Sequence, residues 1–593
     1  MKKLVENTDL GIPYTTVLNK AAVKVACSLF GINKINRLYA EAEGKTGTDF
    51  TQAILQQLGI SVQTDPARLG LIPKRGAFVL VANCPHGALD GLVLLETVAR
   101  IRPDVKILGN FPMMQIEALS DFFLSVDEFD STGGRTLAAV RRIVEHLKGG
   151  GPLIVFPAGE VATFRKRFSK VEEGPWSVSI AKLILQTGVP AVPAYLEGRN
   201  GLWFHLLGRV HPMLQRVRMP LELVDKRGSS VGVAFGSAAS AKLLREIGRP
   251  EAVSTFLRAN VRCLRSLLTD EVVVRQDPEP KPNAGRKKDR TKGTKGKTAR
   301  LRTRQTQTQA ALPIAPVDPV LLERELEAIA AERMWMRIGD LSLFCAPTYA
   351  IPLAMREIER LHETALGSSV QGGEAELMRR EEYDDLYEYL FVWDAENRAI
   401  AGACRIGFGD RVLRTLGFEG FYSYSRFEFS HQLNEVLRGA IEVGAAFVAA
   451  DGRRGGQTLS LLWRGILELV SRNPAYNYLV GPVSMPGGYA MAAKWLLVDY
   501  LRANHWNGDL ARFVVPRNAI GTLGRPGLET EWLRGVDSVG EVDKLIRDVE
   551  PSGRGMPVLM KKYLSLGGGV MGFNIDPKRS DALDVMLILN LHA

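Results

Sequence analysis

The sequence predicts two α/β domains joined by a basic, flexible linker. In each half of the 593-residue chain, short apolar strands alternate with helical patterns, an order typical of α/β layers. Between the halves, residues 276–319 contain almost no large apolar side chains and are rich in Pro, Lys, Arg, Thr, Gln and Gly. Such a segment buries too little surface to offset the entropy lost on ordering. The predicted boundaries are therefore 1–275, 276–319 and 320–593.

The net charge of +11 is concentrated in this linker. Residues 281–304 contain eleven Lys or Arg residues and one acid, Asp289, so the two halves on either side are nearly neutral. An anionic membrane surface attracts such a run, and each basic residue held near the surface contributes roughly 1 kcal/mol of binding free energy. The alternatives are a solvated spacer and nonspecific contact with nucleic acid. Specific nucleic-acid binding is not expected, because no aromatic residues are interleaved for stacking on bases.

The composition excludes several classes of protein. With 46% apolar and 24% charged residues the chain has ordinary globular proportions. No apolar run approaches the roughly 18–20 residues of a spanning helix, and the first residues do not resemble a signal peptide. Five scattered cysteines, without a CxxC pair, support neither a disulfide framework nor a zinc finger. We expect a reducing, cytoplasmic setting.

The elements of the first half follow from hydrophobic periodicity and from Gly and Pro positions. We expect a buried strand at 77–82, an amphipathic helix at 137–147 and a second buried strand at 153–156. A helix at 180–185 and an extended segment at 189–195 follow.

The second half is predicted in the same way. We expect a helix at 320–333, an extended segment at 341–345 and a hairpin formed by 390–393 and 399–403. A strand at 447–450, a glycine-rich loop at 452–456 and a helix at 457–471 follow.

A first candidate site directly follows the strand at 77–82, in the run Asn83 to Gly91. His86 and Asp90 are four residues apart, so on a helix they share one face. A carboxylate beside an imidazole fixes its tautomer and supports it as a general base. The alternative is a capping pair at the start of a helix.

Further motifs accompany this run: Phe156-Pro157-Ala158-Gly159-Glu160, the Val-Pro segment 188–195, and Glu197-Gly198-Arg199-Asn200. Together they resemble the lysophospholipid and glycerophosphate acyltransferases, in their bacterial hemolysin-like branch, over roughly residues 20–225. The resemblance implies that His86 and Asp90 are catalytic. It also implies that Phe156, Pro157, Gly159 and Glu160, with Arg199, bind the acceptor.

One position departs from that family. Its usual run is Asn-His-Pro-x-Gly-x-x-Asp-Gly, and Cys84 stands where the family has its catalytic histidine. Three hypotheses remain open. His86 takes over by local rearrangement, or the site is inactive but still binds lipid or acyl carrier, or Cys84 acts as an acylated nucleophile.

Residues 201–220 are a candidate membrane-facing segment. Trp203, Phe204 and other bulky apolar residues stand there among Arg209, Arg216 and Arg218, which suits an interfacial helix. The alternative is a helix packed into the core of the same domain.

A second candidate site is the run Arg453-Arg454-Gly455-Gly456-Gln457-Thr458, predicted to lie between a strand and a helix. Backbone N–H groups at a helix N-terminus bind phosphate. A simple turn is the alternative.

This run approximates the pyrophosphate loop of GCN5-like N-acyltransferases. With segments 461–466, 478–484, 557–563 and 573–577, it resembles the ornithine-lipid N-acyltransferase branch over most of residues 340–590. The resemblance implies transfer of a 3-hydroxyacyl chain onto the α-amine of an amino acid, with residues 453–458 contacting acyl carrier protein or coenzyme A. Glu442 matches the branch's glutamate and is the expected proton acceptor; a structural glutamate is the alternative. Ala445 and Ala446 replace the branch's Arg and Ser.

Fused in this order, the halves resemble bifunctional synthases of ornithine or glycine lipids. The second half would N-acylate an amino acid, and the first would O-acylate the resulting lyso-lipid. No bound cofactor or metal is expected; acyl-acyl carrier protein or acyl-CoA would be the co-substrate. The expected partners are acyl carrier protein and the anionic inner face of the cell membrane, where the enzyme would be peripheral. A phospholipid-remodelling enzyme and a lipid- or acyl-carrier-binding scaffold are the alternatives.

Overall fold

The computed structural model describes most of the chain in two compact units. The described residues are 32–109, 116–125, 134–164, 171–210, 212–269, 315–366, 386–449, 452–521, 533 and 535–592. Unit 1 comprises Met1–Thr269, Tyr489–Trp506 and Gly521–Ser565, and unit 2 comprises Asp270–Gly488, Asn507–Ile520 and Leu566–Ala593. The basic run 281–304 lies outside the described residues, and the domain boundaries expected from the sequence stay a prediction.

The strands, in chain order, are β1 (Ser61–Gln63), β2 (Val79–Ala82), β3 (Lys106–Gly109), β4 (Phe123–Ser125), β5 (Leu153–Val155), β6 (Thr163–Phe164), β7 (Val171–Glu172), β8 (Ala191–Leu196), β9 (Ser230–Phe235), β10 (Met334–Ile338), β11 (Leu341–Pro347), β12 (Tyr387–Asp394), β13 (Ala399–Phe408), β14 (Phe427–Phe429), β15 (Ala440–Val448), β16 (Tyr478–Met485), β17 (Val514–Pro516), β18 (Gly569–Asp576) and β19 (Ala582–Asn590).

The α-helices are α1 (Ile32–Glu41), α2 (Gly47–Gln57), α3 (Pro66–Leu69), α4 (Ala88–Ala99), α5 (Gly134–Lys148), α6 (Val178–Thr187), α7 (Leu202–Val210), α8 (Pro212–Asp225), α9 (Ala241–Ile247), α10 (Pro250–Cys263), α11 (Ser266–Thr269), α12 (Pro319–Arg333), α13 (Pro352–Leu366), α14 (Gly409–Leu416), α15 (Asn434–Arg438), α16 (Gly452–Arg472), α17 (Met491–Asn504), α18 (Gly508–Ala511), α19 (Val539–Val549) and α20 (Val558–Ser565). In the parts of the chain given above, no helix is both long and apolar enough to cross a bilayer.

Unit 1 is built on a seven-stranded sheet in the order β1-β9-β8-β2-β5-β3-β4. Neighbouring strands are parallel, except that β8 and β9 are antiparallel. β2 and β5 consist of apolar residues that are buried along their whole length, as expected for strands covered on both faces. Because β8, β2 and β5 are parallel neighbours, the loops that follow them meet at one edge of the sheet.

Unit 1 also contains helices from late in the chain, α17, α19 and α20. The carboxylate of Asp548 on α19 joins this part to the first half. It accepts hydrogen bonds from the amide and hydroxyl of Ser237, at 2.9 and 2.7 Å, and from the side chain of Asn260 at 2.7 Å. The ammonium group of Lys544, one turn earlier, contacts the same carboxylate. Arg68 donates to the carbonyl oxygen of Asp548 at 2.7 Å.

Unit 2 is built on an eight-stranded sheet in the order β10-β11-β12-β13-β15-β16-β19-β18. The neighbours are antiparallel except β15 and β16, which are parallel. β15 and β16 pair only from Ala440 to Glu442, whereas β16 continues along β19 as far as Met485. The two strands therefore separate beyond Glu442.

The predicted fold class, two α/β domains, is confirmed, and three local predictions are corrected. The strand expected at 447–450 begins at Ala440, because residues 441–442 pair with both neighbours and pairing with β13 continues through the bulge at Gly444 to Ala446 despite their low strand propensity. The expected loop at 452–456 is instead the first part of α16, whose later apolar residues pack on the sheet. His86 does not lie on a helix, since α4 begins two residues later.

Candidate functional site

Three loops form the candidate site of unit 1. They follow β2, β5 and β8 and contain residues 83–87, 156–160 and 197–201. Asn83 ties the first loop to the end of β8: its side-chain amide donates to the Leu196 carbonyl at 2.8 Å and accepts from the Leu196 amide at 2.7 Å. The sequence-predicted motifs of the first half are thus brought to one edge of the sheet.

His86 and Asp90 form a buried pair. Nδ1 of His86 lies 2.8 Å from Oδ1 of Asp90, while Oδ2 accepts the amide hydrogens of His86 and Gly87 at 2.7 and 2.8 Å. Asp90 therefore holds the turn that contains the histidine and also assigns the proton of the imidazole to Nδ1. Nε2 is then the acceptor in the neutral ring, as a general base requires.

The Nε2 edge of His86 lies against the backbone of the loop after β8. A Cβ atom at Gly198 would lie 2.2 Å from Nε2 and 2.3 Å from Cε1 of that ring. Gly198 has φ +135°, a conformation that side chains disfavour. The motif 197–200 includes this glycine but does not indicate its role, because that role depends on a contact with a residue more than a hundred positions away.

Cys84 lies under the same turn and is buried. Burial, then the negative charges of Asp90 and Glu173, raise the pKa of its thiol well above the usual range. The thiol therefore stays protonated at neutral pH, which opposes the roles of base and of thiolate nucleophile. This geometry favours His86 among the hypotheses for this position.

Glu173 is a site residue that the sequence did not indicate. Its Oε1 accepts the amide hydrogen of Cys84 at 2.7 Å, and its Oε2 accepts from Nε1 of Trp176 at 2.9 Å. Burial raises the pKa of this carboxyl group. The contact fixes the start of the turn that contains His86.

An apolar cluster adjoins the turn. Cys84, Val161 and Phe204 are buried together, with Phe156 and Met219 packed against them. A Cβ atom at Gly87 would touch Val161 and Met219, so this cluster reaches the residue next to His86. It provides apolar surface beside the turn that contains His86.

The predicted acceptor-binding residues have different environments. Phe156 is half-buried and Pro157 is buried, whereas Gly159, Glu160 and Arg199 are exposed. Gly159 has φ +65°, and its amide closes a turn by donating to the Phe156 carbonyl at 3.0 Å. Their location on the loops after β5 and β8, at the same edge of the sheet as His86, is compatible with acceptor binding, which stays a prediction.

In unit 2 the separating strands β15 and β16 form a second candidate site. Glu442 is the last residue of β15 that pairs with β16. Beyond it, Ala445 has φ +46° and lies in a β-bulge opposite β13. Ala445 packs against Tyr422, and a Cβ atom at Gly444 would lie 2.6 Å from the Tyr422 ring. Ala445 and Ala446, which replace the Arg and Ser of the N-acyltransferase branch that this half resembles, thus lie at the bulge.

Glu442 is fully buried, and four donor groups surround its carboxylate; one of them, the Tyr387 hydroxyl, also lies 2.7 Å from the Gly420 carbonyl oxygen. Oε2 accepts from the hydroxyl of Tyr387 and the amide of Tyr422, both at 2.9 Å. Oε1 accepts from the amide and hydroxyl of Ser423 at 2.8 and 2.6 Å. The residue holds the Tyr422–Ser425 turn against β15. The role of Glu442 as a proton acceptor stays a prediction. To take up a proton, its carboxylate would have to give up one of these hydrogen bonds.

The predicted phosphate-binding run forms the first two turns of α16. The side chain of Arg453 lies outside the described residues. Arg454 forms ion pairs with Asp394 and Glu396 of the β12–β13 turn. Thr458 is buried, whereas a Cβ atom at Gly456 would meet nothing within 4 Å. The amides of the first turn and the open surface at Gly456 are the features that suit a phosphate group.

A buried ionic cluster beside the bulge was also not predicted. Asp584 accepts from Ser484 at 2.5 Å and contacts the guanidinium groups of Arg426 and Arg579. Arg426 also donates to the Tyr422 hydroxyl at 3.2 Å. These groups come from three segments that are far apart in the chain, which is why no single local pattern indicated them.

Comparison with known proteins supports both domains. Residues 25–266 match the family described as "Acyltransferase", and residues 361–464 match the family described as "Acetyltransferase (GNAT) domain". The chain is therefore an enzyme with two acyltransferase domains, one of the lysophospholipid acyltransferase type and one of the GNAT type. Such domains use acyl thioesters as donors.

Two individual proteins are similar to the first half. A lyso-glycine lipid O-acyltransferase of Bacteroides thetaiotaomicron is 25% identical over 179 residues, which are 30% of this chain and 63% of that protein. The chain thus spans less than two thirds of this relative. The crystal structure of the 1-acyl-sn-glycerophosphate acyltransferase of Thermotoga maritima matches over 33% of this chain and 78% of its own chain, with 18% identity and a TM-score of 0.20.

Proposed function

We propose that the chain makes a di-acylated aminolipid in two steps. Unit 2 transfers an acyl group from a thioester to the amine of an amino acid. Unit 1 then acylates a hydroxyl group of the lyso-lipid. The observation that carries the proposal is the buried His86–Asp90 pair beside an apolar cluster in a lysophospholipid acyltransferase-type domain. The similarity to a lyso-glycine lipid O-acyltransferase supports an aminolipid as the acceptor.

In unit 1, Nε2 of His86 takes the proton of the acceptor hydroxyl as its oxygen attacks the thioester carbonyl carbon. The carbon–sulfur bond breaks, and the proton passes to the departing thiolate. Asp90 keeps Nδ1 protonated and stabilises the imidazolium that forms. A positioned base of this kind contributes roughly 10²–10⁴-fold to the rate.

In unit 2, the extended arm of the donor thioester lies between β15 and β16, where the β15 backbone beyond Glu442 no longer pairs with β16. The donor's phosphate binds at the first turn of α16, beside Gly456. The amine attacks the thioester carbon near Ala445 and loses a proton, for which Glu442 is the proposed acceptor. The carbon–sulfur bond breaks, and the departing thiolate takes the proton from Glu442 and leaves as the thiol.

The test is total-lipid mass spectrometry of a host that produces the full chain. Wild type should yield a di-acylated amino acid, and His86→Ala should accumulate the mono-acylated form. Full-length variants are needed, because α17, α19 and α20 belong to unit 1 and a chain cut at the linker would lose their packing. Altered phospholipid chains without aminolipid would indicate remodelling, and an unchanged lipid profile would indicate a scaffold; either result would reject the proposal.

A further inference from the structure

Helix α7 presents an apolar face to solvent. Leu202 is 64% exposed, Trp203 69% and Leu206 37%. Leu202 and Leu206 are one turn apart and Trp203 adjoins them, so the three side chains form one patch. Among the described residues of unit 1, the other large apolar side chains exposed to this degree are Trp506 and Val558, which lie on other segments.

The opposite side of α7 is anchored in the core. Phe204 is fully buried against Cys84 and Val161, and His205 beside it is buried as well. The helix is therefore held in place, and its exposed apolar face is not the result of a loosely packed segment. The patch lies one helix thickness from the apolar cluster that reaches His86.

The loop that leads into α7 is part of the catalytic edge. Gly198 contacts the imidazole of His86, and the Gly201 amide donates to Oε2 of the buried Glu222 at 2.8 Å. Only three residues thus lie between Gly198, which contacts the ring, and Leu202, the first residue of the patch. Any surface that receives the patch is brought next to the base.

Positive charge borders the patch. Arg199 is exposed in the connecting loop, and the ammonium group of Lys226 donates to its carbonyl oxygen. The exposed acid Asp225 is paired with Arg218 at 2.6 Å, and Oε2 of Glu197 lies against Gly232 on β9. A tryptophan and two leucines beside basic groups match the boundary between lipid headgroups and acyl chains.

We infer that Leu202, Trp203 and Leu206 insert into the surface of an anionic phospholipid bilayer and place unit 1 so that a membrane-borne acceptor reaches His86 without entering water. Insertion rests on the patch and its charges. The delivery of the acceptor rests in addition on the proposed function.

Flotation with vesicles of phosphatidylglycerol and phosphatidylcholine tests insertion in the full chain. The variant Leu202→Ser/Trp203→Ser should lower the partition coefficient by roughly 10-fold or more, given the apolar area it removes. Val558→Ser, which removes a side chain that is 60% exposed on α20 of the same unit, should leave it unchanged. Brominated lipid should quench Trp203 fluorescence, measured as the difference from Trp203→Phe.

Unchanged flotation of the double variant, or an equal loss in Val558→Ser, would overturn the inference. So would lipid-free self-association of wild type that the double variant abolishes, because a second copy would then cover the patch.

The activity readout separates delivery from catalysis. The double variant should retain turnover of a short-chain, water-soluble lyso-acceptor and lose roughly 10-fold with the same headgroup presented in vesicles. Equal losses with both acceptors would reject delivery. If wild type acylates neither acceptor, the proposed function fails, while flotation still decides insertion.

Discussion

The backbone of Gly198 touches the catalytic edge of His86: a Cβ atom there would lie 2.2 Å from Nε2. Gly198→Ala should therefore displace the imidazole from Asp90, in addition to straining a residue with φ +135°. We expect a loss of O-acyl transfer of roughly 10²-fold or more, measured as kcat, with the folded structure retained in circular dichroism.

Gly150→Ala is the matched control. Gly150 has φ +90°, but a Cβ atom there would meet nothing within 4 Å, so this variant bears the backbone strain without the collision. It should lose stability and keep kcat. Equal kcat in the two variants would show that the contact between Gly198 and His86 is unimportant.

Cys84 and His86 should respond to substitution in opposite ways. Because burial and two neighbouring carboxylates keep the Cys84 thiol protonated, Cys84→Ala should retain O-acyl transfer within about 10-fold. His86→Ala should lose roughly 10²–10⁴-fold. Intact-protein mass spectrometry should detect no acyl adduct on Cys84. An inactive Cys84→Ala with a normal His86→Ala would assign the chemistry to the thiol instead.

Glu442 can be tested by comparing the loss of its carboxylate with the loss of one of its donors. Glu442→Gln should lower N-acyl transfer by roughly 10²–10⁴-fold if the carboxylate accepts the proton. Ser423→Ala removes the 2.6 Å hydroxyl donor but leaves the amide donor to Oε1, so it should retain activity within about 10-fold. If Ser423→Ala were as damaging as Glu442→Gln, the carboxylate would act only by holding the turn.

Gly456→Ala should affect donor binding and stability in opposite directions. Alanine is favoured over glycine in a helix by about 1 kcal/mol, and there is space for the methyl group, so the melting temperature should not fall. Gly456 lies on the second turn of α16, and a methyl group there would narrow the approach of a phosphate to the amides of the first turn. We expect KM for the thioester donor to rise roughly 10-fold with little change in kcat; an unchanged KM would place the phosphate elsewhere.

Asp548 should be essential to the stability of unit 1. Asp548→Ala would leave the ammonium group of Lys544 buried without its carboxylate, which typically costs about 3–5 kcal/mol. Calorimetry should show a lower unfolding temperature together with loss of O-acyl transfer.

The control for Asp548 is Arg547→Ala, on the same helix. The Arg547 side chain is 47% exposed and paired with Asp543, so its removal should cost at most about 1 kcal/mol. Comparable destabilisation by the two variants would mean that the buried cluster does not join α19 to the first half.

The fold class and the pairing of His86 with Asp90 were predictable from sequence because both depend on short-range patterns. Strand and helix periodicity marks the layers, and a spacing of four residues allows the imidazole and carboxylate to meet. Of the two geometries expected from the sequence, a shared helix face and a capping pair at a helix start, the structure has the second. His86 precedes the helix, and Asp90 reaches it by accepting amide hydrogens in the turn.

By itself, the sequence determined two α/β domains, their acyltransferase class and the segments that approach each site. The tertiary structure alone decided which groups surround those segments. Glu173 holds the amide of Cys84 from 89 residues away, and Asp548 binds Asn260 across 288 residues. Gly198 shapes the space at Nε2 of His86, and the exposed face of α7 emerges only once Phe204 is buried. Such contacts depend on how distant segments pack, and a local pattern of residues contains no information about that.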